Sequence, residues 1–320
     1  MKDIIASAST EEVLAELTPE KLMRKTNKGG NEIYVVTCHD SPVILKEIGR
    51  LREITFRDAG GGTGEELDLD PFDVSEVPYK QLIVWNPDAK EIIGGYRFIY
   101  CPDAAKDKDG KIELATSELF NFSEKFCREY IPYTLELGRS FVAPAYQSSK
   151  AGAKALFALD NLWDGLGALT VDNPMIRYFF GKVTMYAHFH SEARNLIHYF
   201  FLKYFRDDED LVTPKKPFEF HIDFDRMKYI FSGADFGEDY KILVQSVRQY
   251  GENIPPLFNA YMNLSPSMKT FGTVLHEQFG KVLETGIILR VDDIYKVKKD
   301  RHIETYLLTK ETKSWLLPEE

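Results

Sequence analysis

YTLELGRSFVAPAYQSS, residues 133–149, reads as a strand that stops at Pro144 and gives way to a helix. A strand headed for a core carries here two opposite charges, Glu136 and Arg139, with Gly138 between them. Side chains alternate along a strand, so Glu136 and Gly138 share one face and Leu137 and Arg139 the other. In a regular strand the two charges therefore do not pair across one face. A glycine inside a strand marks a bulge or the close approach of a ligand, and a bulge would re-aim one side chain so that Glu136 and Arg139 line one site. The plain alternative is an ion pair at a strand end. The following helix opens near QSSKAGAK with free backbone N–H groups, small residues, Lys150 and Lys154, a combination that attracts phosphate. Acid–base side chains feeding such a helix suit acyl-thioester chemistry, with a phosphopantetheine arm to hold and an amine to deprotonate.

Upstream, KQLIVWN (80–86) and EIIGGYRFIYC (91–101) read as strands around a turn at Pro87-Asp88, and EIYVVTC (32–38) as another. Ser41-Pro42 starts a helix to about Phe56, with Val43, Ile44, Ile48 and Leu51 on one face. Residues 9–25 read as two short helices, the first with capping-box spacing at Ser9 and Glu12, the second opened by Thr18-Pro19. Glycine-rich and then acidic, 57–73 reads as a mobile loop. Downstream, MIRYFFGKVTMYAHF (175–189) reads as a strand, SEARNLIHYFFLKYF (191–205) and the stretch near 238–250 as helices, and 272–294 as two strands around a turn at Glu277 to Gly280. Residues 207–240 show no clear period. Strands that alternate with helices and then lie beside other strands predict an α/β domain with a mixed central sheet flanked by helices. The expected division is a helical N-terminal extension over 1–30, a core over 31–206, and a helical segment with closing strands of the same domain over 207–320.

A hydrophobic share of 44% is enough for a sizeable core, and the net charge of -10 argues against nucleic acid as a partner. The three cysteines, Cys38, Cys101 and Cys127, have no metal or disulfide spacing and fit a reducing compartment. No apolar run long enough to span a membrane occurs, and the N-terminus lacks the apolar core of a signal peptide, so the expected location is cytoplasmic. A peripheral contact at the inner membrane face is left to the apolar stripe of RNLIHYFFLKYF, whose commoner use is core. HEQFG (276–280) lacks the second histidine of a zinc-protease helix, His188, His190 and His198 have no recognisable ligand spacing, GGGTG lacks the ending of a P-loop, and the carboxylates of 65–73 do not follow an EF-hand; no metal is expected.

The order strand, helix, acidic loop, two strands, ELGRSFV, helix, strand resembles the GNAT superfamily. More narrowly it is similar to the branch holding acyl-homoserine-lactone synthases and the hemolysin-labelled N-acyltransferases that form ornithine and glycine lipids. The residues that carry the resemblance are Arg52 and Phe56 four apart, Asp70 and Asp73 three apart, Arg97 on the next hairpin, and Glu136 with Arg139 on the central strand. It is clearest over 32–190. The usual GNAT phosphate loop is not readable in 144–154; Gly138 stands where signal synthases have serine, and GGGTG where they have a tryptophan-bearing loop. These departures favour the lipid-forming group.

The resemblance implies a GNAT-like fold and transfer of a long, 3-hydroxylated or plain fatty acyl group from acyl carrier protein or CoA to an amino acid such as glycine or ornithine, with no tightly bound cofactor. It implies Glu136 and Arg139 as catalytic residues. Arg52, Phe56, Asp70, Asp73, Arg97, Gly138, Ser140 and Phe141 would serve the substrate, and Ser148, Ser149, Lys150 and Lys154 the phosphopantetheine. The arginines would either grip the amino-acid carboxylate or pair with Asp70 and Asp73 to order the loop. Backbone N–H groups of 138–141 would polarise the thioester oxygen. Phe141, Phe157, Trp163, Phe179 and Phe180 are available for an acyl slot. An acidic carrier protein would need a local basic patch, for which Lys150, Lys154, Arg177, Lys182, Arg194 and Lys203 are candidates. Other readings are a signal synthase, a short-chain acyl-CoA transferase, or a GNAT-shaped scaffold; a preformed tunnel beside Glu136 and Arg139 would favour an enzyme.

Overall fold

The alternating apolar stretches become strands: β1 (Leu22–Lys25), β2 (Glu32–Val36), β3 (Lys80–Asn86), β4 (Glu91–Tyr100), β5 (Phe120–Phe122), β6 (Thr134–Val142), β7 (Tyr178–Met185), β8 (Val212–Pro214), β9 (Lys269–His276) and β10 (Val282–Arg290). The computed structural model describes residues 1–147 and 153–315, with the backbone alone for 153–156 and 311–315. Eight strands form one sheet in the order β1-β2-β3-β4-β6-β7-β10-β9, while β5 and β8 pair separately. Every neighbouring pair of the large sheet is antiparallel except β6 and β7, which run parallel. A parallel pair needs a long crossover, which a helix over 153–172 supplies.

Among the described residues the α-helices are α1 (Thr10–Glu16), α2 (Pro42–Asp58), α3 (Pro71–Val74), α4 (Glu124–Glu129), α5 (Ala153–Asp172), α6 (Ser191–Tyr204), α7 (Phe224–Ile230), α8 (Phe236–Gln249), α9 (Pro256–Met262), α10 (Lys296–Lys299) and α11 (Thr305–Trp315). One core joins Leu82, Val84, Leu135 and Leu137 of the sheet to Leu162 and Leu166 of α5, Leu196 and Phe200 of α6, Leu243 of α8 and Phe258 of α9. On the opposite face Ile44, Ile48 and Phe56 of α2 pack with Ile83, Trp85 and Phe141, and a further cluster gathers Ile99, Phe126, Phe180 and Phe271.

The expected α/β, GNAT-like architecture is therefore present, with its mixed sheet flanked by helices. One local expectation fails. Residues 22–25 are strand rather than helix, because they pair with β2 and so satisfy backbone groups that a frayed turn would leave open. A short helix follows Pro255-Pro256, burying Phe258, Tyr261 and Met262 at helical spacing. The apolar stripe of α6 is taken up by the core, with Leu196, Ile197, Phe200 and Phe201 all buried. Among the described residues no helix is long and apolar enough to cross a membrane.

Candidate active site

The parallel strands pair only from Thr134 opposite Tyr178 to Leu137 opposite Gly181, although β6 continues to Val142 and β7 to Met185. Beyond that vertex they part. Gly181 permits the close approach at the vertex itself, since a Cβ there would stand 2.4 Å from the Leu137 carbonyl oxygen. A cavity fills the gap. Gly138, Arg139 and Ser140 line one side, Lys182, Val183 and Thr184 the other, and Glu136 stands at the closed end.

The bulge inferred from Gly138 is present one residue later. Against β4, Gly138 faces Arg97 and Phe141 faces Gly95, so β6 spends one residue more than its partner between these pairs. Arg139 takes the extra position with φ of 46°, a left-handed conformation that costs a non-glycine residue about 1 kcal/mol or more. The phase reset brings Arg139 to the same side as Glu136, where it reaches Asp68.

Glu136 is buried and held at both oxygens. Thr116 donates its backbone N–H to Oε1 at 2.8 Å, and the Tyr79 hydroxyl donates to Oε2. Tyr79 in turn accepts from the Ala115 N–H at 3.0 Å. Burial and the neighbouring Glu136 charge push the Tyr79 hydroxyl well above its ordinary range, so it stays a neutral donor. The carboxylate is thus locked in orientation while it lines the cavity.

Behind this wall lies a set of six charges. Arg52 sits on the α2 stripe Ile44–Ile48–Arg52–Phe56, so helical periodicity buries it completely. Its guanidinium bonds Asp68 Oδ2 at 3.0 Å and grips both oxygens of Asp73 at 3.2 and 3.0 Å. Asp70 and Asp73 are presented by α3, where Asp70 caps Phe72 and Asp73 accepts from the Asp70 N–H, with Pro71 at the first helical position. Arg97 Nη1 donates to Asp70 at 2.7 Å and Asp73 at 3.2 Å; Arg139 Nε reaches Asp68 at 3.0 Å and stacks 4.2 Å from the Phe279 ring centre. Burial works against the Asp68 and Asp73 charges. The arginines outweigh it, Arg139 and Arg52 for Asp68, Arg52 and Arg97 for Asp73, and hold both carboxyls below the ordinary 3.8.

The far wall is built by β7 and β10. Lys182 Nζ meets Glu284 at 2.5 Å, and His276 Nδ1 meets the other Glu284 oxygen at 3.2 Å. Burial opposes the Glu284 charge, but Lys182 and His276 prevail and bring its pKa down to about 2.

A GNAT acetyltransferase domain model matches residues 51–156. Over 307 residues the chain is 56% identical to the glycine N(alpha)-acyltransferase of Phocaeicola vulgatus, covering 96% of this chain and 94% of that one. It is 53% identical to the enzyme of the same name from Bacteroides thetaiotaomicron, covering 96% and 91%. The chain belongs to this family of GNAT N-acyltransferases. Among solved structures, FeeM, an N-acyl amino acid synthase from uncultured soil microbes, aligns over 82% of this chain and 93% of its own at 10% identity and a TM-score of 0.42.

With the acyltransferase identified, the sequence-derived residues sort into three groups. Glu136, Gly138, Arg139, Ser140, Arg97 and Phe56 line the cavity. Arg52, Asp70 and Asp73 do not; Arg52 pairs with Asp73, and Asp70 pairs with both Arg97 and Arg139. Phe141 lies off the cavity as well, because the bulge turns it into the α2-side core. Ser148, Ser149, Lys150 and the Lys154 side chain lie outside the described residues. Of the acyl-slot aromatics, Phe179 and Phe180 line the cavity, whereas Trp163 packs edge-on against Tyr261. Two candidates for a carrier-protein patch are otherwise engaged: Lys182 faces the cavity, and Lys203 holds buried Asp239.

The glycine-rich loop is hydrogen-bonded to α2. Glu53 pins it by accepting from Thr63 N–H at 3.0 Å and Gly64 N–H at 2.7 Å, while Gly60, Gly62 and Gly64 all take positive φ that other residues rarely adopt. Sequence reasoning missed Tyr79, Thr116, Asp68, Glu284 and His276 as parts of the site. Asp68 stood in the acidic run beside Asp70, and period two from Asp68 would have paired it with Asp70 rather than with Arg139. Glu284 and His276 are brought in by strand order, and Tyr79 and Thr116 by the segments beside β3 and β5.

Proposed function

We propose that this acyltransferase moves a long-chain fatty acyl group from acyl carrier protein to the amine of glycine, an N-acylation feeding aminolipid synthesis. The observation that carries the amino-acid reading is the cavity at the β6–β7 vertex, where one oriented carboxylate faces a stretch of unpaired strand backbone. The names of the two close relatives support glycine as the acceptor. The carrier protein and the acyl identity rest on the sequence resemblance.

In this reading the neutral amine nitrogen attacks the thioester carbonyl carbon, the C–N bond forms and the C–S bond breaks. Glu136 takes the amine proton directly or through one water, and the leaving sulfur departs as the thiol after gaining a proton. Backbone N–H groups of β6 beyond Leu137, which β7 no longer pairs, polarise the carbonyl oxygen. Arg139 is a positioning residue whose bond to Asp68 holds the bulge.

The test incubates the purified protein with long-chain acyl carrier protein or acyl-CoA and a pool of amino acids, and reads N-acyl products by mass spectrometry. N-acylglycine is expected from the carrier-protein arm, with the Glu136→Gln variant slower by about 100-fold or more. Product from the CoA arm alone would replace the donor, another acylated amino acid would replace the acceptor, and no product from either donor would end the reading.

A further inference from the structure

We propose that Lys182, braced by Glu284 and His276, binds the carboxylate of the acceptor amino acid; the inference rests on amino-acid N-acylation as the reaction. An amino acid brings a negative charge into a closed site, and that charge needs a cation with donors to spare. Among the described residues three cations line the cavity. Arg97 pairs with both Asp70 and Asp73, and Arg139 with both Asp68 and Asp70. Lys182, by contrast, meets a single carboxylate oxygen while it lines the cavity, and an ammonium carries three N–H donors.

Register places it suitably. Glu136 lies opposite Phe180, and Lys182 stands two residues further along β7 on the same face. Strand rise and spacing put the two Cα positions roughly 8 Å apart at the vertex. An α-amino acid with its amine at Glu136 and its carboxylate at Lys182 bridges that gap. Glu284 sits on β10 next to β7, and because its second oxygen is taken up by His276 it holds the Lys182 ammonium from one side only. Glu284, held ionised by Lys182 and His276, serves as the brace.

Glycine and glycinamide, which differ only in the carboxylate, separate this role from a structural one. Steady-state rates are measured for both acceptors at saturating acyl carrier protein donor. Wild type is expected to favour glycine. Lys182→Met should raise the KM for glycine about 10- to 100-fold, leave the donor KM unchanged and bring glycine and glycinamide to similar kcat/KM. Lys182→Arg should restore the preference in part. If Lys182→Met unfolds because Glu284 is left buried without its cation, the Lys182→Met/Glu284→Gln double variant, which removes both charges, carries the same comparison. A variant that is slower yet keeps the wild-type preference for glycine overturns the proposal, as does a wild type that does not discriminate. Wild type that acylates no amino acid at all sinks the underlying reading instead, and that outcome is read without any variant.

Discussion

On the β4–β6 side of the cavity three arginines face three aspartates, and the charges are answered behind the wall; on the β7–β10 side one lysine faces one glutamate with an imidazole at its back. Both sets are buried, so both carry a desolvation cost that only close partners offset. The larger set is closed. Its members reach across α2, α3, β4 and β6, and the Arg139–Asp68 bond holds the bulge that aims Arg139. The smaller set is open on the cavity side. Arginines that each pair with two aspartates build the wall, and the lysine that meets one carboxylate is the cation proposed to meet the ligand.

The sharpest way to break this contrast is to remove one cation from the closed set. Arg52→Met leaves Asp68 and Asp73 buried with fewer partners, and a loss of about 3–5 kcal/mol is expected in denaturant unfolding. A loss under 1 kcal/mol would mean that the six charges do not act as one network. A smaller effect is expected at the vertex. Tyr79→Phe removes a donor from Glu136 and leaves the Ala115 N–H without its acceptor, which should lower stability by about 1–3 kcal/mol and slow turnover while sparing the donor KM. Unchanged turnover would show that Thr116 alone orients the carboxylate.

The least effect appears in mild acid, and it sharpens the comparison through a difference between two curves. Asp68 and Asp73 have folded values below the ordinary 3.8, so the stability they contribute is full above that value and is lost as the pH falls through the lower folded ones. In Arg52→Met the carboxyls lose a cation, their folded values rise, and the loss starts at higher pH. Both proteins share another decline: burial of His198 lowers its value from 6.5 to about 4, so stability falls as the pH drops through that interval. Thermal melts of both from pH 7 to pH 3 should therefore run parallel down to about pH 5 and separate below it. Curves parallel over the whole range would place the aspartates outside the network.

Much of the architecture was legible in the chain because strands and helices announce themselves by period. The capping box at Ser9 and Glu12, the helix opened by Pro42, the hairpin at Pro87-Asp88 and the Glu277 to Gly280 turn all stand where the residues placed them. The glycine within ELGRSFV signalled a bulge, and the bulge is there. β1 joins the sheet by pairing with the edge of β2, a decision no local propensity records.

The sequence by itself determined which charges stand on otherwise apolar elements: Glu136 and Arg139 in a core strand, and Arg52 in the stripe of α2. A charge at a buried position must find partners, so its presence in the pattern already demands a site. Who those partners are was decided only in three dimensions. Tyr79 comes to Glu136 from 57 residues away, Asp68 to Arg139 from 71, and Lys182 meets Glu284 because β10 inserts between β7 and β9. Side-chain period specifies the face a residue occupies, whereas the neighbour on that face depends on strand order, which the packing of the whole sheet sets.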